Sequence, residues 1–228
     1  MVATELPDVF TRSVEDYLKA VYRLSGEDRP ASTSDIAQRL ELSPASVSGM
    51  IKRLSEQGLL EHEPYRGVRL TADGRRVALR VVRRHRLIES YLVRFLQYDW
   101  DTVHDEAERL EHAVSDALVE RMAAALGHPA FDPHGDPIPA ADGTIEDVSV
   151  TPLTELRRGD RCRIARVAIS DEDRLRYVGS LGLRPGAVVT IADHAPFDGP
   201  VTIATPSGTV VIGRALAREL LCVREEPA

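Results

Sequence analysis

Cysteine is scarce in this chain: Cys162 and Cys222 are the only two among 228 residues. Two cysteines without CxxC spacing exclude a disulfide framework and a thiolate zinc site, and they fit a reducing compartment. Both are expected as buried strand residues. Long apolar runs are also lacking, since none approaches the ~18 uninterrupted residues of a membrane helix. The start MVATELPDVF has neither the basic opening nor the apolar stretch of a secretion signal, so no membrane association and a cytoplasmic location are expected. Catalytic signatures are missing too: there is no HExxH, no GxSxG and no Gly-rich phosphate loop. A metal-dependent hydrolase is therefore a weak alternative, and the chain is not expected to be an enzyme.

A basic excess is the last absence, because the net charge is −7. That balance argues against nucleic acid as a partner only at first sight. The acidity concentrates toward the C-terminus, and the stretch through Arg76 carries only about −1. With 43% hydrophobic and 29% charged residues, the composition is that of a soluble globular protein. The length suits two or three compact units.

The first of these has a recognisable order. Val14, Tyr17, Leu18, Val21 and Leu24 recur at helical spacing after Ser13, a candidate N-cap. Ser32 or Thr33 caps a second helix through Leu40, and after the short turn Glu41-Leu42-Ser43, Pro44 opens a third that stops at Gly58. Leu59 to Glu63, the turn Pro64-Tyr65-Arg66-Gly67 and Val68 to Leu70 then read as a hairpin. Three helices followed by a hairpin make a winged helix-turn-helix, whose later helix enters the DNA major groove. On that helix Ser43, Pro44, Ala45, Ser46, Ser48 and Lys52 leave the core stripe and are the candidate DNA contacts, joined by Arg66 of the wing. The plainer reading is that Ser43 and Ser46 only cap a solvated helix.

Beyond Thr71 the periodicity predicts one long helix through Phe95 and a second from Asp101 to Leu126, with Val103, Ala107, Leu110, Val114, Ala117 and Leu118 on its apolar face. Such a pair is a common dimerisation element. Gly127 to Thr144 is rich in proline, glycine and aspartate and reads as a linker or extended arm. After it, period-two alternation over residues 161–167, 188–191 and 201–204 predicts a small SH3-like β-barrel. The expected fold is therefore mainly α with a small β domain. Its divisions are a winged helix over 1–76, a helical dimerisation and metal-binding domain over 77–145, and the SH3-like domain over 146–228.

The chemistry concentrates on the helical pair. His104, Glu108, Glu111 and His112 follow i, i+4, i+7, i+8 spacing, which puts them on one helix face bordering an apolar stripe. Carboxylates there are costly unless a cation neutralises them. His85 and Glu89 form a further i, i+4 pair, and Asp16 lies on the first helix, so imidazoles and carboxylates can converge on a divalent metal. The bland alternative is a solvated acidic face with incidental histidines.

These stretches resemble the diphtheria toxin repressor family of metal-dependent transcriptional regulators. The most specific are Arg84-His85-Arg86-Leu87-Ile88-Glu89, Val103 to His112, and Gly135-Asp136-Pro137-Ile138-Pro139. A weaker likeness, around Leu181-Gly182-Leu183-Arg184-Pro185-Gly186, is to the FeoA-like domain of bacterial ferrous iron transport proteins. The resemblance implies that Asp16, Glu108, Glu111 and His112 are the primary metal ligands and that His85, Glu89 and His104 are ancillary ones. Asp171, Glu172 or Asp173 of the SH3-like domain are candidates for an added ligand. Iron-responsive members have methionine and cysteine where this chain has Asp16 and Glu108, whereas manganese-responsive members have carboxylates, and hard oxygen donors suit Mn²⁺. Lys19 departs from the small manganese regulators, which carry a glutamate there. The expectation is a Mn²⁺-activated homodimeric repressor of a palindromic operator, with one or two dimers per operator, controlling manganese homeostasis genes. An iron-dependent repressor is the alternative, and Fe²⁺, Co²⁺ or Zn²⁺ binding in vitro fits the same donors. A regulator that senses an organic ligand in the helical domain is a more distant rival.

Overall fold

The computed structural model describes residues 10–25, 29–63, 66–146 and 148–225. They group into two compact units: residues up to Arg84 together with Pro139–Thr144, and His85–Ile138 together with residues from Ile145 onward.

In the first unit α1 (Arg12–Leu24), α2 (Thr33–Leu40) and α3 (Pro44–Glu56) precede a hairpin of β1 (Leu60–Glu63) and β2 (Gly67–Leu70). α1 is capped by Thr11 rather than by Ser13: the Thr11 hydroxyl accepts from the Val14 amide, and Ser13 is already inside the helix. Ser32 caps α2, Ser43 caps α3, and Pro44 fills the first turn of α3, where its missing N–H costs nothing. The three helices and the hairpin bury Leu18, Val21, Ile36, Val47, Ile51, Leu54, Leu59 and Val68 in one core. The hairpin pairs Leu60 with Leu70 and Glu63 with Gly67, and Ala31 exchanges backbone hydrogen bonds of 2.9 Å with Val68, tying its base to the helices. Pro64 and Tyr65, expected at its tip, lie outside the described residues.

α4 (Ala72–Leu96) is the expected long helix. The second is not continuous: it divides into α5 (Val103–Leu110) and α6 (Asp116–Ala125). Ser115 caps α6 by accepting from the Leu118 amide, a competing use of the backbone that helix-interior serine invites. The break shifts the helical phase, so Val119 and Ala123 turn inward onto Leu87 and Ile138, while Ala117 and Leu118 of the expected apolar face are exposed. The 127–138 stretch is folded rather than a loose linker. Phe131 bridges Pro137, the Asp132 amide donates to the Asp136 carbonyl at 3.0 Å, and the Arg86 guanidinium donates to the Pro137 carbonyl.

The β domain, also in the second unit, is a six-stranded antiparallel sheet in the order β3-β8-β4-β5-β6-β7. Its strands are β3 (Thr151–Pro152), β4 (Arg161–Val167), β5 (Val188–His194), β6 (Val201–Thr205), β7 (Gly208–Ile212) and β8 (Leu220–Arg224). Two short helices, α7 (Glu172–Ser180) and α8 (Arg214–Arg218), complete it. Cys162 and Cys222 are buried on β4 and β8, as their alternating surroundings require. Among the described residues, no helix is long and apolar enough to cross a membrane.

Candidate metal centre and DNA-facing helix

The i, i+4 register of α4 brings His85 and Glu89 to one side of the helix, where both are almost fully buried. The His85 ring sits between two carboxylates, with Nε2 2.9 Å from Glu89 and Nδ1 2.6 Å from Glu111. α5 supplies His104, whose Nδ1 is 3.0 Å from Glu89 and whose Nε2 is 3.5 Å from Glu108 one turn on. Glu111 ends α5 as its C-cap residue, fully buried, and His112 follows with Nε2 3.2 Å from it. Six expected ligands of α4, α5 and the residues that end α5, His85, Glu89, His104, Glu108, Glu111 and His112, thus form one set of imidazoles and carboxylates linked by contacts of 2.6 to 3.5 Å. Within it, one ligand atom each from His85, His104 and Glu108 lie within 4.8 Å of one another, close enough to share a cation. Asp16 lies on α1 of the first unit, partly exposed, with the Arg12 guanidinium 3.8 Å away.

A second metal-capable group uses Glu89 with two residues that sequence reasoning missed, Asp132 and His134. All three are buried. Asp132 Oδ1 accepts from the amides of His134 at 2.8 Å and Asp136 at 3.0 Å, which shapes the turn that presents both side chains. His134 Nε2 lies 2.7 Å from the Trp100 carbonyl, a pure acceptor. Nε2 therefore carries the proton and donates, leaving the Nδ1 lone pair, 3.8 Å from Glu89, as the available ligand atom. Burial opposes ionisation of Glu89, but His85, His104 and His134 outweigh it and hold the carboxyl well below the usual carboxylate range. Asp132 goes the other way: burial first, then the charges of Asp136 and Glu89, push it up to about 7. Arg86 Nε, 3.6 Å from Asp132 Oδ2, and the His134 ring offset part of that repulsion, and two buried carboxylates beside an imidazole form a donor set that fits a divalent cation. The one pointer to these residues in the sequence was the resemblance of the adjoining Gly135–Pro139 stretch, since loops carry no periodicity.

The SH3-like candidates lie at the start of α7. Asp171 caps α7 by accepting from the Arg174 amide at 2.9 Å, and Arg176 holds Glu172 and, at 3.0 Å, Asp173. All three acids are exposed, and none belongs to a metal-capable group among the described residues.

On α3 the core-facing residues are Val47, Ile51 and Leu54. Ser43, Pro44, Ala45, Ser46, Ser48 and Lys52 all lie on the exposed side. Ser43 and Ser46 share a hydroxyl hydrogen bond of 2.9 Å, and Lys52 lies 4.0 Å from Glu56. Arg66 is exposed at the wing with Glu63 at 3.2 Å. Gly49, not singled out from the sequence, is also exposed, and a Cβ built there meets nothing within 4 Å.

Three family descriptions match successive stretches: an iron-dependent repressor N-terminal DNA-binding domain over residues 9–68, the iron-dependent repressor metal-binding and dimerisation domain over 71–140, and a FeoA domain over 151–224. The iron-dependent repressor IdeR of Mycobacterium leprae is 31% identical over 212 residues, covering 88% of this chain and 87% of its own. A solved manganese-dependent transcriptional repressor in complex with manganese superposes with a TM-score of 0.86 at 41% identity, covering 93% of this chain and all of that one. ScaR with bound Zn²⁺ superposes at 0.79 with 31% identity, covering 93% of this chain and 99% of that one.

Proposed function

Since the chain belongs to the iron-dependent repressor family of metal-dependent, DNA-binding transcriptional repressors, we propose that Mn²⁺ is the metal that activates it. The observation that carries this choice is the donor set. Every side chain in the metal-capable groups offers carboxylate oxygen or imidazole nitrogen. The two cysteines lie buried in the β domain, so no thiolate competes for the metal. Carboxylate is a hard donor that suits Mn²⁺, imidazole is a borderline one that Mn²⁺ shares with later metals, and the thiolate and thioether that favour those later metals are absent from the groups.

In this reading His85, His104 and Glu108 contribute to one cation site and Glu89, Asp132 and His134 to another. In the family pattern Glu111 and His112 belong with Glu108 to the primary ligand set, which Asp16 of α1 joins on the strength of that pattern alone, while His85, Glu89 and His104 are the ancillary ligands. A bound cation supplies charge neutralisation and fixed geometry, and it has no turnover to perform. The protein groups then do the rest: Glu111 and Glu89 orient the His85 ring, and α3 presents Ser43 to Ser48 and Lys52 to phosphates and base edges, with Arg66 on the wing. The dimer is built on the 77–145 segment, where Phe95, Leu96 and Leu118 remain exposed and apolar. Two recognition helices at one groove spacing of ~34 Å read a palindromic operator. We place the protein in the cytoplasm, acting on manganese homeostasis genes as one dimer or two per operator.

The test is operator binding with promoters of metal-uptake genes, comparing Mn²⁺, anaerobic Fe²⁺, Co²⁺ and Zn²⁺ against chelator. Activation by Mn²⁺ at lower free concentration than by Fe²⁺ is expected. Activation by Fe²⁺ with none by Mn²⁺ makes this an iron-dependent repressor and removes the proposal.

A further inference from the structure

Trp100 is the only tryptophan of the chain, it is no metal ligand, and the proposed function does not use it. It lies between α4 and α5 in sequence, yet its side chain is buried in the core of the β domain with Leu175, Val178 and Leu183. α7 admits the indole because residue 179 is glycine: a Cβ there would lie 2.9 Å from the indole Nε1. The Arg184 guanidinium covers the ring at 4.9 Å. The carbonyl of the same residue takes the Nε2 hydrogen bond of His134, whose ring also lies 5.5 Å from the indole.

The backbone around His134 is held by the same domain. The Val167 amide donates to the His134 carbonyl at 2.8 Å, and Arg166 lies 3.4 Å from Asp136. Gly135, at φ +87°, passes so close to β4 that a Cβ would lie 1.9 Å from the Ala165 carbonyl oxygen. β4 changes register against β8 between Ile164 and Arg166, and that irregularity is where the turn docks. The main chain of His134 is therefore held by β4 directly and its ring through Trp100, whose indole sits in the β-domain core, although no β-domain side chain belongs to the metal-capable group.

We propose that Trp100 is a positioning residue that latches the β domain to the Glu89–Asp132–His134 site, so that seating of the domain and binding of a divalent cation there strengthen each other. The proposal rests on the reading that these three residues bind a cation. With the indole seated, the Trp100 carbonyl fixes the tautomer and plane of His134 and aims Nδ1 at Glu89. With the indole displaced, that ring loses its partner. By reciprocity, a cation that holds His134 also holds Trp100 and the domain around it.

The experiment titrates the full-length chain with Mn²⁺ alone, following calorimetry and Trp100 emission, in the parent, Asp132→Ala and Gly179→Ala. In the parent, Mn²⁺ is expected to change the emission and to slow amide exchange in β4 and α7. Asp132→Ala is expected to lose one equivalent of Mn²⁺ together with the emission change. Gly179→Ala should shift the emission of the metal-free protein and weaken one class of Mn²⁺ site by ~10- to 100-fold, the range for partners of metal-bound histidines, leaving the other class unchanged. If Gly179→Ala does not fold, exchange in the parent with and without Mn²⁺ decides the matter. Full Mn²⁺ stoichiometry in Asp132→Ala would remove the underlying site. Loss of one equivalent there, with parental affinity in Gly179→Ala or unchanged parent exchange, overturns the latch alone.

Discussion

Gly49 offers a perturbation in which stability and DNA binding should move in opposite directions. It lies inside α3 on the exposed side, and a Cβ there meets nothing within 4 Å. Glycine in a helix interior costs ~0.5 to 1 kcal/mol relative to alanine, mostly through the extra freedom of its unfolded chain. With no steric cost to subtract, Gly49→Ala should gain about that amount, which for a unit of fewer than 100 residues raises the melting temperature of its transition by ~2 to 8 °C. Gly49→Glu should keep much of the gain, because glutamate is also a good helix former. It also puts a carboxylate beside Ser46 and Lys52, on the side of α3 assigned to DNA. Repulsion from the phosphates should then weaken operator binding at least tenfold, a loss of ~1.4 kcal/mol, and make the salt slope shallower by roughly one. Differential scanning calorimetry and operator titrations at several salt concentrations, both at saturating Mn²⁺, measure the two effects. A Gly49→Glu protein that binds operator with parental affinity and slope would show that this side of α3 does not face DNA.

Further outcomes follow from the same geometry. Ser46→Ala and Lys52→Ala should each weaken operator binding several-fold without changing Mn²⁺ uptake, and Lys52→Ala should reduce the salt slope by ~0.9, both read by fluorescence anisotropy. Asp16→Met combined with Glu108→Cys should move activation from Mn²⁺ toward Fe²⁺, because soft sulfur replaces hard oxygen, while parental metal preference in anaerobic operator binding would dismiss these two positions as selectivity determinants. In metal-free protein the Asp132 carboxyl titrates at about 7 rather than at its ordinary 3.8, since burial and neighbouring carboxylates oppose its charge. A raised carboxyl favours the folded state below its ordinary pKa, and that contribution is lost as pH rises through 7. Asp132→Asn should therefore stabilise the chelator-treated protein by about 2 to 4 kcal/mol more at pH 8 than at pH 5, and an equal effect at both values in urea unfolding would contradict the shift.

What the sequence determined by itself was local and periodic. The apolar spacing of Val14 to Leu24 and Val47 to Leu54 specifies helices and their inward faces, because a side chain's direction along a helix follows from its position in the turn. The same rule put His85 with Glu89 and His104 with Glu108, pairs one helical turn apart, and it separated Ser46 and Lys52 from the core. Only tertiary structure decided the rest. The register at which α4 meets α5, which sets His85 between Glu89 and Glu111, depends on packing of Ile88 and Leu92 against Val103 and Ala107. The division of the expected 101–126 helix depends on Ser115, whose hydroxyl serves as well in a cap as in a helix surface. Asp132 and His134 sit in a stretch without periodicity, and they reach Glu89 because Asp132 folds the turn on itself while β4 and the Trp100 carbonyl hold His134. Backbone amides and carbonyls are the same at every residue, so a ligand positioned by them leaves no signature in the sequence and appears only when the chain is folded.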